Sequence, residues 1–348
     1  MQLAGLRLER ARASTQFRDG RFHNTHPADA KLEGPRGPIF REFLFERGKR
    51  KPPGTIEVAS PLDAWTRGSD SGLRITWLGH STMLVESDGV RVLTDPVFGD
   101  RIGPASFLGP KRFHARPVEI AQLPKLDAIL VSHDHFDHLC KPSIGELAKL
   151  RVPFVTSLGV GAYLERYGAE HVTELDWWET ARIGGVAFTA TPAQHFSGRV
   201  GGRNATLWSS WVIETERRRL FFSGDTGLTP EFADVRARVG AIDVAMLEVG
   251  AWHPAWGTIH LGPVNALAAH ELLGARALMP VHWGTFDLGL HGWAEPAEEL
   301  FERAAATGVR LLTPRLGVPF EPEHAERATP WWREVGHAAA ATDEPVPA

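Results

Sequence analysis

The chain has 348 residues, of which 43% are hydrophobic and 23% are charged, a balance typical of a globular protein with a sizeable core. Its formal net charge of -4 argues against a nucleic-acid-binding protein, for which a strongly basic face is expected. The single cysteine, Cys140, excludes an internal disulfide framework and any cysteine-rich zinc site.

Residues 1–66 are rich in Arg, Pro and Gly and show little hydrophobic periodicity. We expect this segment to be an extension that packs on the main domain, with a short helix at 40–48. The first twenty residues lack the apolar core of a signal peptide, and no uncharged apolar stretch of about 18 residues occurs. We therefore expect a cytoplasmic protein, with peripheral contact at the inner membrane face left open.

The main domain is predicted to span residues 67–322. Short apolar, β-branched runs such as "RITWL", "VRVLTD" and "DAILVS" first follow one another directly and later alternate with helix-like stretches. Several of those stretches begin with Pro or end at Gly, as helices do. This order predicts an α/β layered fold in which sheets pack together with helices outside. Residues 323–348 are predicted to form a C-terminal tail.

The stretch "SHDHFDH" directly follows a predicted buried strand and contains the spacing His133-x-His135-x-Asp137-His138. A loop at the end of the strand would let these side chains point in different directions. Imidazole and carboxylate ligands suit Zn, Fe or Mn. Four ligands within six residues exceed what one open catalytic metal needs, so the motif predicts two adjacent metal ions. The alternative is a surface loop that is rich in histidine by chance.

Three further candidate ligands, His195, Asp225 and His282, each follow an apolar run, where the edge of a sheet would present them. A lone histidine in such a place is more often structural, but the three together favour a shared site. Asp225 is the natural bridge because its two oxygens can contact two ions. Gly224 and Gly227 flank it and permit a tight backbone.

In this order the metal motifs resemble those of the metallo-β-lactamase superfamily. The stretches "GPKRF", "ELDWWE" and "HWGTF" resemble, more narrowly, the N-acyl-phosphatidylethanolamine-hydrolysing phospholipases D, and the resemblance runs from about residue 72 to 297. It implies a four-layer αβ/βα sandwich with two zinc ions per chain, with Fe or Mn as alternatives. By resemblance, one zinc is held by His133, His135 and His195, the other by Asp137, His138 and His282, with Asp225 between them.

The resemblance also implies a catalytic set of Asp137, Asp225 and His260. The sequence around His260 departs from the phospholipase pattern, so a structural role beside a helix stays open for it. His80 and Asp95 follow strands and are predicted to orient ligands rather than to bind metal. Cys140 is not a ligand in this pattern and is expected to be a small buried residue.

The expected reaction is hydrolysis of a phosphodiester, N-acyl-phosphatidylethanolamine or a similar phospholipid, by a hydroxide shared between the metals. Lys111 and Arg112 are candidate contacts for the phosphate, although solvated surface charge is an equal alternative for them. Trp252 is a candidate substrate contact and, with Phe107, Leu108 and Trp256, a candidate apolar wall, although core packing is the alternative for each of these residues. A lactonase or carboxyl-ester hydrolase on the same site is the second hypothesis, and a non-enzymatic, metal-stabilised protein is the third. A homodimer is left open.

Overall fold

The computed structural model describes residues 3–28, 49–199, 202–253, 256–325 and 328–336. The helix predicted at 40–48 and the last twelve residues of the predicted tail lie outside these ranges. No helix in the described part of the chain is both long and apolar enough to span a bilayer.

The helices and strands alternate irregularly along the chain. The first part contains α1 (Gly5–Ala13), β1 (Phe17–Arg18), β2 (Arg21–Phe22), α2 (Leu62–Trp65), β3 (Leu73–Gly79), β4 (Thr82–Ser87), β5 (Val90–Thr94), β6 (Ala128–Val131), α3 (Lys141–Ala148), β7 (Phe154–Ser157), α4 (Gly161–Arg166) and β8 (Val172–Leu175). The second part contains β9 (Thr180–Ile183), β10 (Val186–Thr191), β11 (Gly198–Arg199), β12 (Gly202–Arg203), β13 (Ser210–Glu214), β14 (Arg219–Phe222), α5 (Glu231–Val239), β15 (Ile242–Glu248), α6 (Gly262–Leu273), β16 (Ala275–Val281), α7 (Glu295–Thr307) and β17 (Pro319–Phe320). Two 3₁₀ helices occupy Ile120–Gln122 and Trp331–Glu334.

Two mixed sheets form the centre of the fold. The first has seven strands in the order β17-β3-β4-β5-β6-β7-β8, and the second has six strands in the order β16-β15-β14-β13-β10-β9. In each sheet one part is antiparallel and the other is parallel. Two antiparallel steps restore the strand direction, so β3, β5 and β6 run the same way in the first sheet, as do β10, β14, β15 and β16 in the second. The carboxyl ends of these strands therefore share one edge within each sheet.

Side chains on β6 show that its sheet is covered on both faces. Ala128 and Leu130 belong to the core shared with the six-stranded sheet, whereas Ile129 and Val131 pack in a second core with Ile144 of α3. Successive side chains of a strand point to opposite faces, so a wholly apolar strand must be buried on both sides. Helix α6 packs on β15 and β16, and α7 packs on α6, which covers the outer face of the other sheet. The predicted α/β sandwich is confirmed.

The described part of the N-terminal extension packs on the main domain. Ala11 and Phe22 are fully buried in an apolar cluster with Trp208. The Arg7 guanidinium donates to the Glu174 carboxylate over 3.0 Å. Burial of aromatic and aliphatic area against the body holds the extension in place, and the ion pair adds to it.

Two tryptophans in the described part of the predicted C-terminal tail also lie in the core. Trp331 and Trp332 are buried, and the Trp331 ring lies 5.6 Å from that of Trp283 and 6.2 Å from that of Trp77. Because such rings bury a large apolar area, residues 328–336 form part of the body of the protein.

Candidate metal centre

The "HDHFDH" motif lies in the loop that leaves the carboxyl end of β6. The strand ends at Val131, and backbone hydrogen bonds from residues 138 and 139 to the His135 carbonyl close a turn. Because the turn breaks the alternation of a strand, the side chains of His133, His135, Asp137 and His138 can converge. The predicted position of the motif, in a loop after a buried strand, is confirmed.

The three candidate ligands from elsewhere in the chain each follow a different strand. His195 lies four residues after β10, Asp225 lies three residues after β14, and His282 directly follows β16. All three strands end at the same edge of the six-stranded sheet, which faces the β6 loop across the sandwich. The structure brings every ligand predicted from the sequence into one cluster.

A first group of donor atoms surrounds His135. Its Nδ1 lies 2.9 Å from His133 Nε2 and 3.2 Å from His195 Nε2. Asp225 Oδ2 lies 3.8 Å from His133 Nε2 and 3.7 Å from His195 Nε2. Tetrahedral zinc sites with metal–ligand bonds of about 2.0–2.1 Å have ligand–ligand edges of about 3.3 Å. The spacing of these four donors therefore fits a single metal ion.

A second group lies on the other side of Asp225. His282 Nε2 lies 3.1 Å from His138 Nε2 and 3.3 Å from Asp137 Oδ2, and His138 Nε2 lies 3.6 Å from the same Asp137 oxygen. Asp225 Oδ1 lies 3.1 Å from both imidazole nitrogens. These edges fit a second ion. Burial lowers the pKa of His282, but the carboxylates of Asp225 and Asp137 together outweigh it and bring that pKa to about 10, so the site favours positive charge.

Asp225 presents one carboxylate oxygen to each group. Within the described chain, its buried Oδ1 has no hydrogen-bond partner of good geometry, which leaves lone pairs available for a cation. Gly224 has φ of +53°, and a Cβ there would lie 2.7 Å from the Ser132 Cβ. A Cβ at Gly227 would lie 1.7 Å from the Thr258 carbonyl oxygen. Both glycines are therefore required by the backbone that carries Asp225.

Hydrogen bonds to the second ring nitrogen fix the tautomers of three histidines. His138 Nδ1 donates to Asp95 Oδ2 over 2.6 Å, and His195 Nδ1 donates to the Ile259 carbonyl over 2.9 Å. His133 Nδ1 donates to Ser132 Oγ over 2.9 Å. A proton on Nδ1 leaves the Nε2 lone pair free, and in each ring Nε2 is the atom that faces the cluster.

The Asp95 carboxylate supports both groups of ligands. It accepts hydrogen bonds from Ser132 N over 2.7 Å and from Ser132 Oγ over 2.6 Å, in addition to the bond from His138. Since the Ser132 hydroxyl donates its hydrogen bond to Asp95, its Oγ can accept a hydrogen bond from His133 Nδ1. Burial raises the pKa of Asp95, and the charge on His138 together with the hydrogen bonds from His138 and Ser132 partly offsets that rise.

Glu248 belongs to the site but is not predicted from the sequence. Its fully buried carboxylate accepts from His260 Nδ1 over 2.8 Å, from Thr226 N over 2.8 Å and from Leu261 N over 3.2 Å. Burial raises the pKa of Glu248, and that carboxylate in turn raises the pKa of His260 against the effect of burial. The sequence feature that could have identified Glu248 is its position as an acidic residue at the end of the apolar run "DVAMLE", where β15 ends.

His260 itself lies beside the cluster, with its ring 5.1 Å from that of His195 and 5.6 Å from that of His282. His80 contacts the second group: its Nε2 lies 3.2 Å from Asp137 Oδ2, and its ring lies 4.0 Å from that of His282. Burial lowers the pKa of His80 to about 3, so the ring is neutral and can donate one hydrogen bond to the carboxylate.

Three non-glycine residues of the site have a left-handed backbone. The φ angles are 54° at His80, 32° at Asp95 and 66° at His282. Such conformations cost about 1–3 kcal/mol each and persist where the surroundings enforce them. In this site the backbone N–H of His80 donates to Thr285 Oγ1, and that of His282 donates to the His80 carbonyl. Strain of this kind is concentrated at functional sites.

The residues predicted to contact substrate lie in different environments in the structure. Lys111 is exposed, whereas Arg112 is only 7% exposed and donates to the carbonyls of Val97 and Gly99 over 2.6 and 3.3 Å. Burial lowers the pKa of Arg112 to about 10. Arg112 therefore holds together the loop after β5 instead of forming a solvated pair with Lys111. Trp252 is half-buried, next to Gly262 at the start of α6.

Cys140 is buried in a small apolar cluster with Val97, Ile102 and Phe286, which confirms the role predicted for it. Phe107 and Leu108, by contrast, are 75% and 47% exposed. They follow a loop, residues 99–106, that borders a cleft of about 1020 Å³ together with Phe136 and Cys140.

The paired sheets and the convergent histidine and aspartate clusters define a metallo-hydrolase of the β-lactamase type. The chain matches the profile "Beta-lactamase superfamily domain" over residues 90–283, more than half of its length, and it belongs to that superfamily.

Individual relatives agree with this assignment. The chain is 38% identical over 250 residues to the N-acyl-phosphatidylethanolamine-hydrolyzing phospholipase D 1 of Caenorhabditis elegans, covering 67% of this chain and 70% of that protein. It is 32% identical over 224 residues to a metal-dependent hydrolase of Rubrobacter xylanophilus, covering 62% and 83%. A metallo hydrolase from the archaeon Ignicoccus hospitalis shares the fold, with a TM-score of 0.56, 22% identity, and coverage of 72% and 98%.

Proposed function

We propose that the protein is a dinuclear zinc phosphodiesterase of the phospholipase D type, acting on N-acyl-phosphatidylethanolamine or a closely similar phosphodiester. The observation that carries the proposal is the Asp225 carboxylate, whose two oxygens face two separate groups of histidine and aspartate donors. The relative from Caenorhabditis elegans, whose name states this activity, supports the choice of substrate.

The donor set fits two divalent ions held by the residues predicted from the sequence, with Asp225 shared. When bound, such ions supply a water nucleophile at neutral pH and stabilise negative charge on phosphate oxygens. The protein contributes the orientation of each ligand. Asp95 and the Ile259 carbonyl hold the rings of His138 and His195 with Nε2 towards the site, and His80 holds Asp137.

His260 is proposed to protonate the leaving oxygen. Glu248 accepts a hydrogen bond from His260 Nδ1 and thereby fixes the ring beside His195 and His282. With Nδ1 committed to Glu248, Nε2 is the nitrogen that can give a proton to an alkoxide and take another from water. The phosphorus–oxygen bond to the N-acylethanolamine group breaks in this step, and phosphatidic acid is the second product.

The cluster opens to solvent beside Phe136. His135 and Asp137, on either side of Phe136, are half-buried, whereas the other predicted ligands are buried. The cleft of about 1020 Å³ includes Phe136 in its wall and has room for part of a lipid. Substrate is therefore proposed to enter between this cleft and the β11–β12 hairpin.

That hairpin carries two arginines towards the opening. Gly198 N donates to Asp134 Oδ1 over 2.8 Å and ties the hairpin to the metal loop. The Arg199 guanidinium lies 4.2 Å from the Phe136 ring, and that of Arg203 lies 4.4 Å from the Phe196 ring. Neither forms an ion pair with a carboxylate of the described residues. Two such cations beside the entrance favour an anionic substrate, as a phosphodiester is.

The test is to offer the zinc-loaded protein N-acyl-phosphatidylethanolamine, bis-p-nitrophenyl phosphate and a panel of lactones. Cleavage of the phospholipid in ¹⁸O-labelled water should place the label in phosphatidic acid, because the P–O bond breaks. The matched control is Asp225→Asn, which keeps the shape of the side chain. Turnover of lactones without cleavage of either diester would reject the phosphodiesterase in favour of the carboxyl-ester hydrolase.

A further inference from the structure

The Asn24 side chain, in the N-terminal extension, contacts the backbone of a predicted metal ligand 171 positions away. Its Nδ2 donates to the His195 carbonyl over 2.8 Å, and its Oδ1 accepts from the His195 N–H over 3.1 Å. Oδ1 also accepts from Trp208 Nε1 over 3.0 Å. One amide therefore pairs with both backbone groups of His195.

The orientation of this amide follows from its partners. Trp208 Nε1 and the His195 N–H can only donate, so the atom that they share must be the Asn24 oxygen. The His195 carbonyl can only accept, so the atom opposite must be the amide nitrogen. An aspartate at this position would place a carboxylate oxygen, which can only accept, against the His195 carbonyl, and the hydrogen bond would be lost.

His195 depends on this contact because it lies outside the sheet. Strand β10 ends at Thr191, and the isolated bridge between Gln194 and Gly227 holds the residue before His195 but neither backbone group of His195 itself. The residue is 1% exposed, and no other hydrogen-bond partner of its N–H or carbonyl occurs in the described chain. Buried backbone groups are nearly always paired, and an unpaired one is costly. The Ile259 carbonyl orients the ring, and Asn24 holds the main chain from which the ring extends.

Other contacts keep the extension in place around Asn24. Phe22 is fully buried with Trp208, Ala193 and Leu158. Its N–H donates to the Asn204 carbonyl over 2.9 Å, and Asn204 Nδ2 donates to its carbonyl over 3.1 Å. These contacts do not involve the Asn24 side chain, so a change at Asn24 can be tested with the segment still docked.

We infer that Asn24 is a positioning residue of the metal centre, which holds His195 in the geometry that binds the first ion. The inference rests on the proposed function in one respect, namely that His195 is a ligand. Asn24 lies outside residues 90–283, the part that matches the superfamily profile. The extension would thus complete a centre whose ligands all come from the body of the protein.

The experiment compares the wild type with Asn24→Ala, Asn24→Asp and the control His23→Ala. The His23 ring bonds only the Arg18 carbonyl of the same hairpin in the described structure, so its removal perturbs the extension without touching His195. For each metal-free protein, competition between Co²⁺ or Zn²⁺ and a chromophoric chelator gives the two metal affinities. The melting temperature without metal, kcat and KM are measured on the same preparations.

We expect Asn24→Ala to weaken one of the two affinities by about 10–100-fold, the range typical of lost outer contacts to metal ligands. kcat should fall at limiting metal and recover with excess metal, whereas KM and the melting temperature without metal stay near wild type. Asn24→Asp should weaken the same affinity, and it carries the test if the alanine variant does not fold. His23→Ala should match the wild type throughout.

Unchanged affinities in both Asn24 variants would overturn the inference, and so would a lower melting temperature with unchanged affinities, which would show a structural role only. Equal loss in His23→Ala would also overturn it. If the wild type itself bound no metal, the proposed function would fail instead, so the two failures are distinguishable.

Discussion

Replacing Asp95 with Asn tests how the protein prepares its histidines for metal. The side chain keeps its size but loses one acceptor. Asp95 Oδ1 accepts from Ser132 N, and Oδ2 accepts from both Ser132 Oγ and His138 Nδ1. The amide oxygen can serve only one of these positions, so in either orientation an NH₂ group faces a donor.

The magnitude follows from the tautomer of His138. With the amide nitrogen at the position of Oδ2, His138 relieves the clash by moving its proton from Nδ1 to Nε2. The Nε2 lone pair that faces Asp225 and His282 is then lost. His133 is affected less, because its link to Asp95 passes through Ser132. Outer-shell changes of this kind cost about 10–100-fold in metal affinity, or about 1.4–2.7 kcal/mol.

The assay is titration of metal-free protein with Zn²⁺ against a chromophoric chelator. The control is Asp127→Asn, since Asp127 Oδ2 also accepts a backbone N–H, that of Arg91 over 2.8 Å, away from the cluster. We expect weaker binding of the ion at His138 in the first variant and unchanged binding in the second. Wild-type affinity for both ions in Asp95→Asn would refute the idea that this carboxylate sets the tautomer.

Three further predictions concern the ligands, the entrance and the C-terminal segment. Asp225→Asn should lower the bound metal by about one ion per chain in elemental analysis, because NH₂ replaces one of the two facing oxygens; a full complement would contradict the shared role. Arg203→Ala should raise KM for an anionic diester by up to about 5-fold, worth ~1 kcal/mol, and leave a neutral ester unchanged; an unchanged KM at low salt would show that this cation is not used. Trp331→Ala should lower the free energy of unfolding in urea by about 3–5 kcal/mol, since a buried indole is removed; a loss below about 1 kcal/mol would place the segment outside the core.

Much of the centre was predictable because its ligands follow the ends of strands. An apolar run that stops at a histidine or aspartate is visible in the sequence, and strands of one direction end at the same edge of a sheet. His195, Asp225 and His282 can therefore be grouped from sequence alone. The same pattern identifies Asp95 as a partner of a ligand ring, and the structure shows its bond to His138.

The residues that sequence reasoning misses act through contacts that leave no pattern. Glu248 is the last residue of an apolar strand, so in the sequence it looks like part of that strand rather than part of a site. An acidic residue buried in a sheet nevertheless needs polar partners. Asn24 bonds the backbone of His195, and every non-proline residue has the same backbone groups. The identity of residue 195 therefore gives no indication of this contact. Arg112 resembles half of a charged pair with Lys111 because adjacent basic residues are usually solvated. The backbone carbonyls that surround Arg112 depend on how the loop closes, which local sequence does not determine.

The two-ion centre is tested most directly by anomalous X-ray scattering at the zinc edge from crystals grown with zinc. The two-ion centre predicts two peaks, one on each side of the Asp225 carboxylate, the first among His133, His135 and His195 and the second among Asp137, His138 and His282. A single peak, or none within this cluster at saturating zinc, would contradict it.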